Sequence, residues 1–140
     1  ATRTMPTLEP APFLRRVLKA DALLCLAAAV LHLGFAARLD SLLGLPAPLL
    51  VGPGVFLLAY VALLAAMATS RAVWSWLFPL IVGGNVGWGL GCIGLSAAGG
   101  VTALGHAYLW LNALAVFVFA ALQWRGWRAT PAGGSAWRAA

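Results

Sequence analysis

Apolar residues form four long runs along this chain, and short segments between the runs hold most of the charged residues. The runs cover about 17–37, 49–69, 74–97 and 103–124. Each is close to the roughly 20 residues with which an α-helix crosses ~30 Å of hydrocarbon, and none alternates apolar and polar residues as a barrel strand does. The pattern predicts an all-α integral membrane protein with four transmembrane helices in an up-down-up-down bundle.

The composition agrees with this prediction and excludes a water-soluble domain. Hydrophobic residues make up 63% of the 140 residues, charged residues only 9%, and the mean hydropathy is +0.94, whereas soluble domains carry about 25% charged residues. We expect an N-terminal tail over 1–16, a membrane domain over 17–128 and a C-terminal tail over 129–140. Residues 1–12 and 129–140 have no apolar periodicity, so we expect both segments to be disordered unless a partner protein holds them.

Lys and Arg residues predict the orientation of the helices. Eight of the nine lie before or at the start of the first run, in the second connection or after the fourth run, and only Arg38 lies in the first connection. The positive-inside rule therefore predicts that both termini are cytoplasmic. The net charge of +6 indicates contact with anionic lipid of the bilayer. It does not indicate nucleic acid, because no basic helix or aromatic platform exists outside the apolar runs.

Residues that carry chemistry are scarce. The chain has three carboxylates, Glu9, Asp21 and Asp40, and no motif of a nucleotide, metal or hydrolase site. Cys25 and Cys92 should lie at different depths, too far apart for a disulfide. The sequence therefore predicts no catalytic residues and no metal site, and it argues against an enzyme.

The third run contains a row of glycines. At 100° per residue, Gly83, Gly87 and Gly91 share one helix face with Gly84 and Gly94. Small residues at this spacing let two helices approach closely where lipid removes the hydrophobic drive for association. We expect a close helix contact there, either inside the bundle or with another subunit or copy of the chain. Asn85, Trp88, Cys92 and Ser96 lie on the opposite face.

Three polar residues lie inside the apolar runs, where each needs a partner. Asn85 and Asn112 should lie near the midplane, so we expect a hydrogen bond between them, with a polar ligand or water site as the alternative. Asp21 should lie at the depth of Gln123 and Arg125. An ion pair at the membrane boundary, or a favourable interaction with the helix N-terminus, is its expected role.

Two histidines are the candidate cofactor residues. His32 and His106 should lie at similar depth, toward the outer ends of the first and fourth helices. Ala28 precedes His32 by one turn, and this Ala-xxx-His pattern loosely resembles the light-harvesting polypeptides. Together with Trp110, the histidines could bind haem, a quinone or a pigment. The competing interpretation is that both are structural and that no cofactor is bound directly.

Three segments carry a family resemblance: LRRVLKADALL (14–24), LDSLLGLP (39–46) and ALQWRGWR (121–128). They resemble small four-span inner-membrane proteins of GC-rich bacteria whose function is uncharacterised. The resemblance implies location and architecture but no activity and no functional residue.

Three functional hypotheses follow. We favour a non-catalytic accessory subunit of a larger bacterial membrane complex, because the chain is small, has a glycine-rich helix face and carries seven Trp. A binder of a lipophilic cofactor is the alternative and depends on the two histidines. A small oligomeric transporter is the third possibility, disfavoured because no run carries charge through its middle.

Overall fold

The computed structural model describes residues 6–130, and helices dominate this part of the chain. The five helices are α1 (Pro12–Gly34), α2 (Ala36–Leu43), α3 (Pro48–Thr69), α4 (Leu77–Ala98) and α5 (Ala103–Ala129). All except α2 are long and apolar enough to cross a membrane, which confirms the predicted all-α fold with four candidate membrane-spanning helices. The predictions for Arg3, Arg138 and the C-terminal tail beyond residue 130 lie outside the described residues.

Two helices extend beyond the apolar runs that predicted them. Helix α1 begins at Pro12 rather than near residue 17, because proline suits the first turn of a helix, where its missing N–H has no partner to lose. Helix α5 continues to Ala129 rather than 124. At its start the prediction agrees, since the Thr102 side chain caps the helix by accepting a 3.0 Å hydrogen bond from the Gly105 N–H.

The first connection contains the short helix α2. The helix ends at Gly44, whose φ of 71° is a left-handed conformation that glycine adopts without strain. The Asp40 carboxylate accepts a 3.1 Å hydrogen bond from the Ala47 N–H. The Thr102 hydroxyl donates to the Leu42 carbonyl oxygen at 2.7 Å. The first bond ties α2 to the residue that precedes α3, and the second holds α2 against the start of α5.

The N-terminal segment is tied to the second connection. Strand β1 (Thr7–Leu8) pairs antiparallel with β2 (Val73–Trp74), and Leu8 is buried. Arg15 also donates a 2.7 Å hydrogen bond to the Ala68 carbonyl oxygen. The expectation that residues 1–12 lack structure of their own is therefore wrong for residues 6–11, because the short connection between α3 and α4 offers a strand edge for them to pair with.

The long helices pack as two pairs, α1 with α3 and α4 with α5, and α1 also contacts α5. One apolar core includes Leu14, Leu64 and Phe78, and a second lies around Leu50 and Leu109. Helices α3 and α4 are joined through the Tyr60 hydroxyl, which donates to the Ile81 carbonyl oxygen at 3.0 Å. Farther toward α2, a cleft lies between these two helices.

Candidate ligand cleft and buried polar cluster

The cleft between α3 and α4 has a volume of about 660 Å³, within the range of small-molecule sites. Its walls are mostly apolar, and no Asp, Glu, Lys or Arg among residues 6–130 lines it. Phe56 and Leu49, both in the wall, also face the outside of the molecule, so the cleft opens on the surface that lipid would cover. The remaining wall residues that the argument uses are Gly87, Gly91, His32, Trp88, Tyr108 and Asn112.

Glycines create the space of the cleft. A Cβ atom added at Gly87, Gly91 or Gly94 would meet nothing within 4 Å, and the same holds for Gly83 outside the cleft. The predicted close contact of this glycine face is therefore not made within the described chain. The opposite face of α4 is the packed one, since Asn85 and Cys92 on it are buried. A contact of the glycine face with another subunit stays a prediction.

His32 and Tyr108 form a polar pair in the cleft wall. The His32 side chain is only 4% exposed, and its Nε2 is hydrogen-bonded to the Tyr108 hydroxyl. The two rings lie 5.9 Å apart at an angle of 59°. The other ring nitrogen of His32, Nδ1, is buried and has no hydrogen-bond partner among residues 6–130. Buried polar atoms normally have a partner, so this atom marks an incompletely bonded site.

His106 does not share this site, so the predicted joint cofactor site of the two histidines is wrong. Its Nδ1 lies 2.6 Å from the Ser96 hydroxyl, which accepts a 3.1 Å hydrogen bond from Trp110 Nε1. Trp110 is 54% exposed, and neither His106 nor Trp110 lines the cleft. The reason is helical rotation, since two residues along α5 turn a side chain by about 200° and leave Tyr108, not His106, facing His32.

A second group of polar residues is buried between α1, α4 and α5; we call Asp21, Asn85 and Gln123 the polar cluster. Their exposed fractions are 1%, 3% and 0%. The Asp21 Oδ2 atom accepts hydrogen bonds from Asn85 Nδ2 at 3.1 Å and from Gln123 Nε2 at 2.5 Å. Asn85 also donates to Gln123 Oε1 at 2.8 Å, and the Cys25 thiol donates to Asp21 Oδ1 at 3.3 Å. Each side chain of the cluster is thus bonded to the other two.

The polar cluster corrects two predictions. The Asn85–Asn112 hydrogen bond is absent from the described residues, because Asn112 donates instead to the Tyr108 carbonyl oxygen of its own helix at 2.9 Å. Asp21 forms no ion pair with Arg125 there; the one salt bridge in residues 6–130 joins Arg15 to Glu9. Asp21 was placed at the correct depth, but the partner at that depth is the amide of Gln123.

A small cavity of about 60 Å³ lies beside Asp21 and Cys25. Phe56 and Trp88 line both this cavity and the cleft, and their stacked rings have centroids 6.5 Å apart and planes inclined by 15°. The aromatic pair thus forms a partition between the polar cluster and the cleft. Cys25 and Cys92 are free thiols, in agreement with the prediction that they do not form a disulfide.

Sequence reasoning missed Tyr108 and the structural role of Gln123. Tyr108 was hidden because an aromatic residue in an apolar run is typical of ordinary packing. Gln123 was recorded only as a marker of depth, although an amide inside an apolar run needs a partner as much as Asn85 does. No protein-family model, curated protein or solved structure matches this chain.

Proposed function

We propose that this chain is a multi-pass membrane protein that holds a neutral lipophilic molecule in the cleft between α3 and α4. The observation that carries the proposal is the cleft itself, about 660 Å³ in volume and apolar except for a few polar groups. Such a wall favours an apolar ligand body, which gains by leaving water, and disfavours a charged ligand, which would lose its hydration without compensation. The opening beside Phe56 gives the ligand a lateral route from the bilayer.

Among the cofactors considered from the sequence, haem does not suit this cleft. Iron ligation would use an imidazole nitrogen with a free lone pair directed into the cavity. His32 Nε2 is already bonded to Tyr108, and its Nδ1 is enclosed by protein. A quinone or another lipophilic molecule needs no such ligand and only has to match the volume and the polar groups of the wall.

Filling the cleft tests the proposal. Gly87→Leu and Gly91→Leu place a side chain in open space within the cleft, so we expect the fold to persist and the ligand to be displaced. Gly83→Leu makes the same change in open space outside the cleft and serves as the matched control. Native mass spectrometry of protein purified in mild detergent should detect a bound molecule in the wild type and in the control. Equal ligand retention by Gly87→Leu and Gly91→Leu would contradict the proposal.

An accessory subunit is the second candidate function. The uncovered row formed by Gly83, Gly87 and Gly91 has the four-residue spacing that lets a partner helix pack closely. A partner helix lying along this row would be displaced by Gly83→Leu as well as by Gly87→Leu. Co-purification of partner protein with each variant therefore separates the two functions, because the ligand proposal expects Gly83→Leu to behave as the wild type.

The cleft's place in the membrane depends on the topology, for which we propose an up-down-up-down order with both termini cytoplasmic in a bacterial inner membrane. Contacts at one end of the helices support this order: Trp127 Nε1 donates to the Ser75 hydroxyl at 3.3 Å, and Gly126 packs on Leu14. The charge distribution supports the orientation. A reporter fused to the C-terminus should be active only in a form that works in the cytoplasm, and strong periplasmic phosphatase activity there would contradict it.

A further inference from the structure

The His32–Tyr108 pair carries one more hydrogen-bonding proton than it uses. A neutral imidazole has one N–H and the tyrosine has one O–H, while a single hydrogen bond joins the two side chains. If Nε2 carries the imidazole proton, it donates to Tyr108, and the hydroxyl proton is free. If Nδ1 carries it, Tyr108 donates to Nε2, and the Nδ1–H is free. In both tautomers the remaining proton makes no hydrogen bond to an acceptor in the structure of residues 6–130.

An acceptor placed in the cleft selects between these tautomers. Nδ1 is enclosed by protein, so a ligand cannot reach it, whereas Tyr108 lines the cleft. A hydroxyl proton can rotate toward a ligand, while a donor left buried without an acceptor costs about 1–3 kcal/mol. An acceptor in the cleft therefore favours the tautomer in which His32 donates to Tyr108 and Tyr108 donates to the ligand.

We propose that the ligand of the cleft carries a neutral carbonyl group that accepts a hydrogen bond from the Tyr108 hydroxyl, with His32 as the residue that orients this hydroxyl. The inference rests on the proposed function. The free proton requires an acceptor, and the absence of charged side chains from the cleft wall requires that the acceptor be neutral. A carbonyl on an apolar body could belong to a quinone ring or to the ester of a glycerolipid.

The two tyrosines of the chain allow a matched test. Tyr108→Phe removes the proposed donor, and Tyr60→Phe removes the hydroxyl that bonds to Ile81 and does not line the cleft. Detergent-purified protein is titrated with a decyl-substituted benzoquinone, a diacylglycerol and an alkylbenzene that has no hydrogen-bond acceptor, and the shift in melting temperature is measured. We expect the wild type and Tyr60→Phe to bind at least one carbonyl compound about tenfold more tightly than the alkylbenzene, as one hydrogen bond allows. Tyr108→Phe should lose this preference.

Infrared spectroscopy provides a second readout that does not depend on stability. The carbonyl stretch of an isotope-labelled ligand should move to lower wavenumber on binding to the wild type, because the hydrogen bond weakens the C=O bond, and should not move with Tyr108→Phe. The compound that shows this shift identifies the source of the carbonyl.

Different failures have different meanings. Equal affinity of the wild type for the alkylbenzene and both carbonyl compounds, or an unchanged preference in Tyr108→Phe, would overturn the carbonyl assignment while leaving a lipophilic site. Binding of none of the three compounds would instead overturn the proposed function itself.

Discussion

Helices α3 and α4 are joined at the end that contains Tyr60 and Ile81, which we call the closed half, and are separated by the cleft toward α2, which we call the open half. Both halves contain polar side chains. In the closed half, Tyr60 bonds to Ile81, and each side chain of the adjoining polar cluster is hydrogen-bonded to the other two. In the open half, glycines leave a cleft, and the His32–Tyr108 pair has a proton without an acceptor. A buried polar side chain that is hydrogen-bonded to other side chains of the protein thus has a structural role. One with an unfilled bond indicates a ligand.

The largest expected effect is in the closed half. Gln123→Leu removes two of the hydrogen bonds of the polar cluster and leaves the buried Asp21 carboxylate with an unfilled acceptor site. We expect a loss of about 3 kcal/mol in the free energy of unfolding, measured in mixed detergent micelles. Asn112→Leu is the control and should cost less than about 1 kcal/mol, because its amide bonds only within its own helix. Similar losses for the two variants would contradict the structural importance of the cluster.

Two glycines of α4 distinguish its packed face from its open face. A Cβ atom at Gly89 would lie 2.6 Å from the Phe117 ring, whereas one at Gly91 would meet nothing within 4 Å. We expect Gly89→Ala to lower the melting temperature, with a cost of about 1–3 kcal/mol from overpacking. Gly91→Ala should be neutral or stabilising, because alanine is the better helix former. Thermal unfolding of both variants tests the assignment of the two faces. A lower melting temperature for Gly91→Ala than for Gly89→Ala would contradict it.

Tyr60→Phe should weaken the contact between α3 and α4 in the closed half without removing an aromatic ring from it. The change removes the hydrogen bond to the Ile81 carbonyl oxygen and retains the aromatic ring that stacks on Phe56. The expected cost is about 1 kcal/mol, together with faster hydrogen exchange of backbone amides near Ile81. If exchange there were unchanged while stability fell, the bond would not be what holds the two helices together at this end.

The smallest effect concerns the histidine outside the cleft. Ser96→Ala removes the partner of His106 and of Trp110 in a partly exposed position, so the change in unfolding free energy should stay within about 0.5 kcal/mol. Ligand retention should equal that of the wild type, because none of these residues lines the cleft. A loss of ligand in this variant would indicate that His106 contributes to the ligand site.

The sequence by itself determined that this protein has four long apolar helices and approximately where each of them lies. Four apolar runs of about 20 residues are a signal that depends only on length and composition, and the structure shifts their ends by a few residues, most at Pro12 and Ala129. Depth along the helices was also readable, since Asp21 does lie level with Gln123 and His32 lies level with a residue near the start of α5.

Only the tertiary structure decided how each helix is rotated about its axis. In a water-soluble protein, the apolar face of a helix identifies its buried side. A helix surrounded by lipid is apolar on all sides, so periodicity carries little information about its rotation. The glycine face of α4 therefore looked like a packing surface and lines a cleft instead. Rotation is set by a few bonds between residues far apart in the chain, such as Gln123 to Asp21 and Tyr108 to His32, because an unpartnered polar group costs more inside a membrane than any apolar contact there gains.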